Sequence, residues 1–443
     1  MQAALRRNTE LSLLILALLI GAGALALVAV ARNLKRLDLA VPFIIIVVVC
    51  YAVAHFVVRK SAREADALIL PLAALVNTLG LAAVYRLDPN DYGPTQVTWT
   101  VVGIITFLGT LLIVRDFMTL ARYKYLFGFA GVGLLLLPMT PLGDEVNGAR
   151  LWIDLGAFSF QPGEIAKICL VVFFAGYLAE RKELLAIASR RVAGLHVPDL
   201  KHFGPLLVMW GLSLAVMFYE KDLGSSLLFF SIFLVMLYIA TARIVYAALG
   251  SLLFVAGAFI GYHLFSHVQL RVRVWLTLFS DPELIQDEGY QLAQSLFALS
   301  TGGLFGTGLG QGRPDLIPAA HTDFVFSVLG EELGLLGAGA VLLGFVLLVA
   351  RGLRIALHTR DDFGQLLAAG LTVIVGVQTF IILGGVTRLL PLTGITLPFM
   401  SYGGSSLVSN FILIALLIRI SHQENSAPDP AQTSEILIGG RDR

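Results

Sequence analysis

Followed for hydrophobic and polar positions, the chain is a succession of apolar runs near twenty residues long, parted by shorter polar stretches. Runs of that length predict helices that cross a bilayer. Twelve are expected, at about 11–31, 40–58, 66–84, 96–114, 125–139, 163–180, 204–219, 223–241, 244–264, 323–350, 364–385 and 397–419. One segment breaks the pattern. From Phe265 to Phe324 the chain mixes polar loop, glycine-rich turns and amphipathic sequence. Loops that long are usually functional or disordered. Trp275, Phe279, Tyr290, Phe297 and Phe305 give this one packing material that disordered segments lack. A structured site on one membrane face is therefore expected, presented by a helical scaffold.

Composition agrees with the pattern. Apolar residues fill 57% of 443 positions and charged residues 14%, so the expected fold class is all-α, a polytopic membrane helix bundle. The net charge of +1 points to no partner class, and nothing in the chain calls for nucleic acid. Its distribution is more informative. Placing both termini in the cytoplasm puts Arg6, Arg7, Arg59, Lys60, Arg63, Arg115, Arg122, Lys124, Arg181, Lys182, Arg351 and Arg354 inside. The outer side then carries about half as many cations, with Arg32, Lys35 and Arg36 the main exceptions. The loops at 85–95, 140–162, 220–222, 265–322 and 386–396 fall outside. The first apolar run is too long for a cleaved signal and lacks a clear small-residue cleavage site. The polar tail 421–443 is expected to be a disordered cytoplasmic end. Cys50 and Cys169 lie in separate apolar runs, which argues against a disulfide or a metal site.

Charged residues gather at the membrane boundaries. In Gly148–Lys167, Pro162 suits a first helical turn and Glu164 the positive end of its dipole. Lys167 follows on the same face, inside an apolar run where charge is expensive. A structural ion pair and a polar cavity are both open readings. Glu220, Lys221 and Asp222 form a short outer turn whose plainer reading is a solvated loop. Glu331 and Glu332 sit within an apolar helix and point about 100° apart; a buried pairing with Arg or Lys is expected for at least one. In the long loop, Asp281 and Asp287 are candidate carboxylates, with Glu283 and Glu288 nearby and Arg271 and Arg273 upstream. Asp323, in the stretch His321–Phe324, is placed to cap the next helix. Leu397–Leu407, with Pro398, two glycines and several hydroxyls, predicts a broken, polar start to the last helix, tolerated only inside protein or beside water. The glycines of Gly306–Gly312 follow no strand and are not read as a dinucleotide site. Spacing alone leaves a transporter and a membrane-embedded transferase level.

Five motifs, in order, tip the balance: GARLWIDLGAFSFQPGEIAK, EKDLGSS, GYQLAQSLFALSTGGLFGTGLGQG, PAAHTDFVFSVLGEELGLLG and PLTGITLPFMSYGGSSL. Together they resemble the SEDS family, the RodA/FtsW/SpoVE group of peptidoglycan polymerases, with the RodA branch favoured by Gly384–Gly404. The resemblance covers about residues 66–420. It makes residues 1–65 an added transmembrane hairpin and 66–420 a ten-helix polymerase core with the outer loop 265–322.

The resemblance implies a glycosyltransferase that polymerises lipid II at the outer face of the cytoplasmic membrane, beside a class B penicillin-binding protein. It places the catalytic aspartate at Asp281, by the Trp275 spacing and the following Pro282. The stretch to Gly289 is longer than the family's, which keeps Asp287 as runner-up. Arg150, Trp152, Glu164, Lys167, Lys221, Arg273, His321, Asp323, Ser401 and Ser405 are the expected substrate contacts. No tightly bound cofactor is expected; a divalent cation, Mg or Mn, could assist the pyrophosphate. A flippase for lipid-linked cell-wall precursors is the competing class, supported by Lys167, Glu331 and Glu332 and weakened by the lack of an inverted repeat.

Overall fold

A computed structural model describes residues 2–32, 37–146, 149–154, 156, 158–187, 190–192, 195–197, 200–220 and 222–427. The helices run α1 (Gln2–Arg32), α2 (Leu37–Ser61), α3 (Ile69–Leu87), α4 (Tyr92–Ile113), α5 (Met118–Arg122), α6 (Lys124–Leu136), α7 (Pro162–Ile187) and α8 (Leu200–Tyr219). They continue as α9 (Leu223–Thr241), α10 (Ile244–Leu264), α11 (Ser266–Thr277), α12 (Pro282–Gln286), α13 (Tyr290–Gly302), α14 (Val325–His358), α15 (Asp362–Val386) and α16 (Gly404–Ser426). Each of the twelve expected spans falls on one of these helices. Among the described residues, ten are long and apolar enough to cross a membrane. The fifth expected span is the short α6, closed by a 3-10 turn at Leu137–Met139. Lys35, Arg36 and the tail beyond 427 lie outside the described residues, whereas residues 421–426, expected to begin a disordered tail, continue the last helix, α16.

The hydrophobic core is carried by α3, α7, α15 and α16, which are buried on most faces. The N-terminal hairpin packs onto it through polar as well as apolar contacts. In α1, buried Arg7 pairs with buried Glu10 and donates to the Ala65 carbonyl, while Glu10 Oε1 lies 2.6 Å from His55 Nδ1 of α2. Tyr51 of α2 donates to Asn77 of α3 at 3.1 Å. These pairs satisfy groups that would otherwise be stranded in hydrocarbon.

The loops expected to share a side do meet. At one end Arg6 donates to the Glu64 carbonyl (2.9 Å), Arg351 Nε to Asp66 (3.0 Å) and the Phe117 amide to Gln423 (3.0 Å). At the other end Arg86 reaches the Gly312 carbonyl (2.7 Å) and the Gln161 amide reaches Ser405 (2.8 Å). An antiparallel sheet in the order β1 (Gly143–Val146), β2 (Ala149–Asp154), β3 (Ser159–Phe160) folds the 140–162 loop, and β4 (Arg190–Val192) pairs β5 (Leu195–Val197) at the opposite end. These strands were not anticipated, being too short to show a period.

Two helices differ from expectation. The last begins at Gly404 rather than 397, because Phe399 adopts φ +62 and Pro398 denies a helical turn before it. Neighbouring helices supply the bonds that this backbone forgoes: Asn77 Nδ2 donates to the Phe399 carbonyl (3.2 Å) and Gln96 Nε2 to that of Ser401 (3.2 Å). The tenth begins at Val325 and is interrupted at Gly334, where φ is +68. Asp323 does not cap it; Phe324 is the cap residue, with no side-chain bond.

Candidate active site

The 265–322 loop is folded, as its aromatics suggested, into α11, α12 and α13. Phe279 and Phe297 meet at 6.1 Å, although Phe305 is 78% exposed. Asp281 stands at the start of α12. Its Oδ1 accepts the Glu283 amide (3.2 Å), and Pro282 takes the first helical position, a favourable cap sequence. Its Oδ2 lies 2.7 Å from Arg273 Nη2. The carboxylate is 27% exposed and the guanidinium 60%, so the pair adds little stability but aims the acid. Asp287 follows α12, is exposed, and its carboxylate has no hydrogen-bond partner among the described residues.

What holds α11 is the loop that follows α15. Trp275 Nε1 donates to the Arg388 carbonyl (3.1 Å), and Arg388 Nε donates back to the Trp275 carbonyl (2.6 Å). Arg388 also donates to Leu276 (2.9 Å) and covers the Phe279 ring at 5.4 Å. One turn earlier, Arg271 donates to the Thr393 carbonyl (2.9 Å). Arg271 and Arg388 were not among the expected site residues.

The same loop borders Asp323, whose charged neighbours are Arg271 and Asp222. A side-chain carbon on Gly394 would sit 3.7 Å from Asp323 Oδ2 and 3.8 Å from Arg271 Nη2, so both groups border one spot. Burial raises Asp323 to about 6, against the opposing pull of a Thr322 hydrogen bond and the Arg271 charge. Asp222, also missed, is raised by burial and caps α9 through the Ser225 amide (3.0 Å). Glu220 is pushed up to about 8, by burial first and Asp222 second. The plain reading of this turn as solvated is wrong: Glu220 and Asp222 are 4% and 9% exposed. Lys221 lies outside the described residues.

His321 stacks on Tyr92 at 4.3 Å, meets Tyr402 at 5.4 Å, and accepts the Tyr402 amide on its carbonyl (2.8 Å). Burial lowers its pKa. Ser401 donates to the Thr322 carbonyl and accepts the Leu397 amide (2.9 Å), a positioning role within the 397–403 turn.

Glu164 and Lys167 are paired at 2.6 Å, as their spacing predicts, with Pro162 opening α7. They belong to a longer chain of bonds. Lys167 Nζ donates to Gln378 Oε1 (2.9 Å), Gln378 Nε2 to the Thr396 carbonyl (2.7 Å), and Thr396 Oγ1 to Ser406 (2.9 Å). Ser409 returns to Glu164 at 2.9 Å. Gln378 is the missed link; an amide inside an otherwise apolar helix was its only signal.

Glu331 and Glu332 serve the glycine-rich turn. Glu332 pairs with Arg86 at 2.9 Å and accepts the Gly310 amide (2.8 Å); Glu331 accepts the Arg313 amide (3.0 Å). Gly306 lies so close that a Cβ there would fall 2.2 Å from the Glu332 carbonyl, and its φ is +84. Arg150 and Trp152 lie on β2, the first exposed and the second half-buried. Among the described residues neither side chain bonds to the other candidates. Ser405 accepts the Gln161 amide (2.8 Å), joining β3 to the start of α16.

A polytopic helix bundle with an aspartate presented at one end defines a membrane-embedded protein with an extramembrane site. Residues 65–426 match the FtsW/RodA/SpoVE family of cell cycle proteins, and the chain belongs to that family. It is 44% identical to a protein named peptidoglycan glycosyltransferase RodA from Mycobacterium bovis, over 98% of this chain and 96% of that one. Stage V sporulation protein E of Bacillus subtilis is 33% identical over 80% of this chain and 96% of its own. Among solved structures, a chain from a study of polymerisation and crosslinking by a peptidoglycan synthase complex aligns with a TM-score of 0.66 and 26% identity. That alignment covers 82% of this chain and 99% of the other. The rod shape determining protein RodA of Thermus thermophilus aligns with a TM-score of 0.58 and 25% identity, over 82% and 98% of the two chains.

Proposed function

We propose that this chain is a peptidoglycan glycosyltransferase that polymerises lipid II into glycan strands at the outer face of the cytoplasmic membrane, and that it works in cell elongation. The 44% identity to a protein of that name, across 98% of this chain, supports the activity and the RodA branch. The observation that carries the site is Asp281, aimed by Arg273 from a helix that Arg388 ties down. In the reaction, an acceptor sugar hydroxyl attacks the anomeric carbon of the donor. A new C–O bond forms, the bond to the undecaprenyl pyrophosphate breaks, and Asp281 takes the hydroxyl proton. General-base help of this kind is worth about 10²–10⁴-fold.

Cations must meet the departing pyrophosphate, and Arg273, beside Asp281, is the first choice. Arg271, Arg150, Lys167 and Lys221 are assigned to donor and acceptor only as a group. Among the described residues no three His, Cys, Asp or Glu side chains cluster to hold a metal. A Mg or Mn ion, as the chemistry allows, would neutralise charge on the departing pyrophosphate.

The flippase reading loses its main support. Glu331 and Glu332 brace the glycine-rich turn and Arg86, and Lys167 pairs with Glu164 and donates to Gln378. Purified protein given fluorescent lipid II should build glycan ladders and leave lipid scrambling at the protein-free level. Scrambling without ladders would reverse the assignment. Both termini are placed in the cytoplasm by the cation distribution, and a reporter fused at the C-terminus should be active there and silent if exported.

The proposed partner is a class B penicillin-binding protein whose membrane helix lies beside α14–α16 and whose outer domain touches the 265–322 loop. The alignment with a synthase-complex subunit supports a partnered enzyme.

A further inference from the structure

At the end of the bundle opposite Asp281, α2, α4 and α16 frame a partly open cleft of about 560 Å³. Its lining holds three cations, Lys60, Arg115 and Arg419, and no carboxylate. Arg419 is 5% exposed. Its two terminal nitrogens donate to the Ser61 and Leu111 carbonyls, and its Nε has no partner. Among the described residues it makes no ion pair. A buried guanidinium without a counter-anion is costly and calls for one. The acids nearest the three cations in sequence are already engaged: Glu64 with Arg6, Asp66 with Arg351, Asp116 with the Met118 amide and Gln423, and Glu424 with the Arg360 amide. Beside the cations the cleft is apolar, and Phe56 and Leu112 are 65% and 53% exposed.

We propose that this cleft holds the phosphate headgroup of an anionic phospholipid, with the acyl chains lying along Phe56 and Leu112. Basic pockets between membrane helices suit such headgroups. A soluble phosphate would use the cations and leave the apolar flank bare. Phe56, Val57, Lys60 and Ser61 come from the N-terminal hairpin, outside the matched residues 65–426. The hairpin thus completes a lipid site that the family core alone only half encloses. Lipid here would tie the hairpin to α4 and α16.

Lys60 and Arg115 are exposed, so replacing them tests binding without removing the carbonyl bonds of Arg419. The full chain in neutral detergent would be titrated with phosphatidylglycerol or phosphatidylcholine and read by native mass spectrometry. Each cation near a membrane surface is worth about a five-fold preference for anionic lipid, so Lys60→Gln with Arg115→Gln should lower the preference about 25-fold. Glycerol phosphate at the same concentration should not displace the lipid. Equal retention of the two lipids, an unchanged preference in the double variant, or displacement by glycerol phosphate would overturn the proposal.

Discussion

Trp275 and Arg388 bond to each other twice, the indole to the arginine's carbonyl and the guanidinium to the tryptophan's carbonyl. They are 113 positions apart, and the double bond fixes the helix that leads to Asp281 onto the loop after α15. Arg388 sits at φ +59, an uncommon conformation for a side-chain-bearing residue, held by the bonds it makes.

Arg388→Ala should therefore detach α11 while leaving the membrane helices in place. The substitution removes two guanidinium hydrogen bonds, to the Trp275 and Leu276 carbonyls, each worth about 1 kcal/mol net, and leaves the indole's bond to the backbone carbonyl at 388. The expected outcome is at least a ten-fold fall in glycan synthesis with an unchanged melting temperature for the helical bundle. Trp275→Phe, which removes one bond, should fall between the variant and the parent. Full activity in Arg388→Ala would mean that the outer loop is positioned by something else.

Lys167 tests the buried polar chain. Removing one member of a buried pair costs about 3–5 kcal/mol, so Lys167→Met should lower thermal stability in detergent by many degrees. Exchanging the charges, Glu164→Lys with Lys167→Glu, should not restore it. A carboxylate at 167 would face Gln378 Oε1, whose amide is oriented by its bond to the Thr396 carbonyl. Parent-like stability and activity in the exchanged protein would reduce the network to a simple ion pair and remove any phosphate role.

Asp323 carries a pH signature. Burial raises it from 3.8 to about 6, so the folded protein holds that proton more tightly than the unfolded chain. Stability from this group is complete below about 4 and is lost as pH rises through 6. Melting temperatures taken from pH 4 to 8 should fall across that window in the parent, and the fall should shrink in Asp323→Asn. A slope unaffected by the substitution would place the titration elsewhere, Glu220 being the next group to replace.

The proposed partner makes a cellular prediction. A class B penicillin-binding protein co-expressed with this chain should raise glycan synthesis even without its own catalytic serine, because its contact falls on the loop bearing Asp281. Depletion of this chain should give round cells; filaments would instead assign it to division.

Much of this was legible. Apolar run lengths located every helix that crosses the bundle, and the spacing of Glu164 and Lys167 gave their pairing. At least one of Glu331 and Glu332 was expected to find a cation, and Glu332 does so in Arg86. What escaped was long-range. Arg271 to Thr393, Trp275 to Arg388 and Lys167 to Gln378 join segments over 100 residues apart, and no local period encodes such contacts. The break at Gly334 was hidden because the glycine-rich turn that fits against it comes from a separate stretch. The 265–322 loop was expected to present the site, and residues 387–403 anchor it through Arg388 and Thr393. A lone arginine at 388, on a face otherwise poor in cations, was the available clue.

The central claim is that Asp281 is the base and Asp287 is not. Asp281→Asn keeps the shape of the cap and should retain the fold, while Asp287→Asn alters an exposed side chain with no hydrogen-bond partner among the described residues. Glycan synthesis from labelled lipid II, measured on both purified variants, decides between them. The account predicts a loss of about 10²–10⁴-fold for Asp281→Asn and near-parent activity for Asp287→Asn. Activity retained in the first and lost in the second would contradict it.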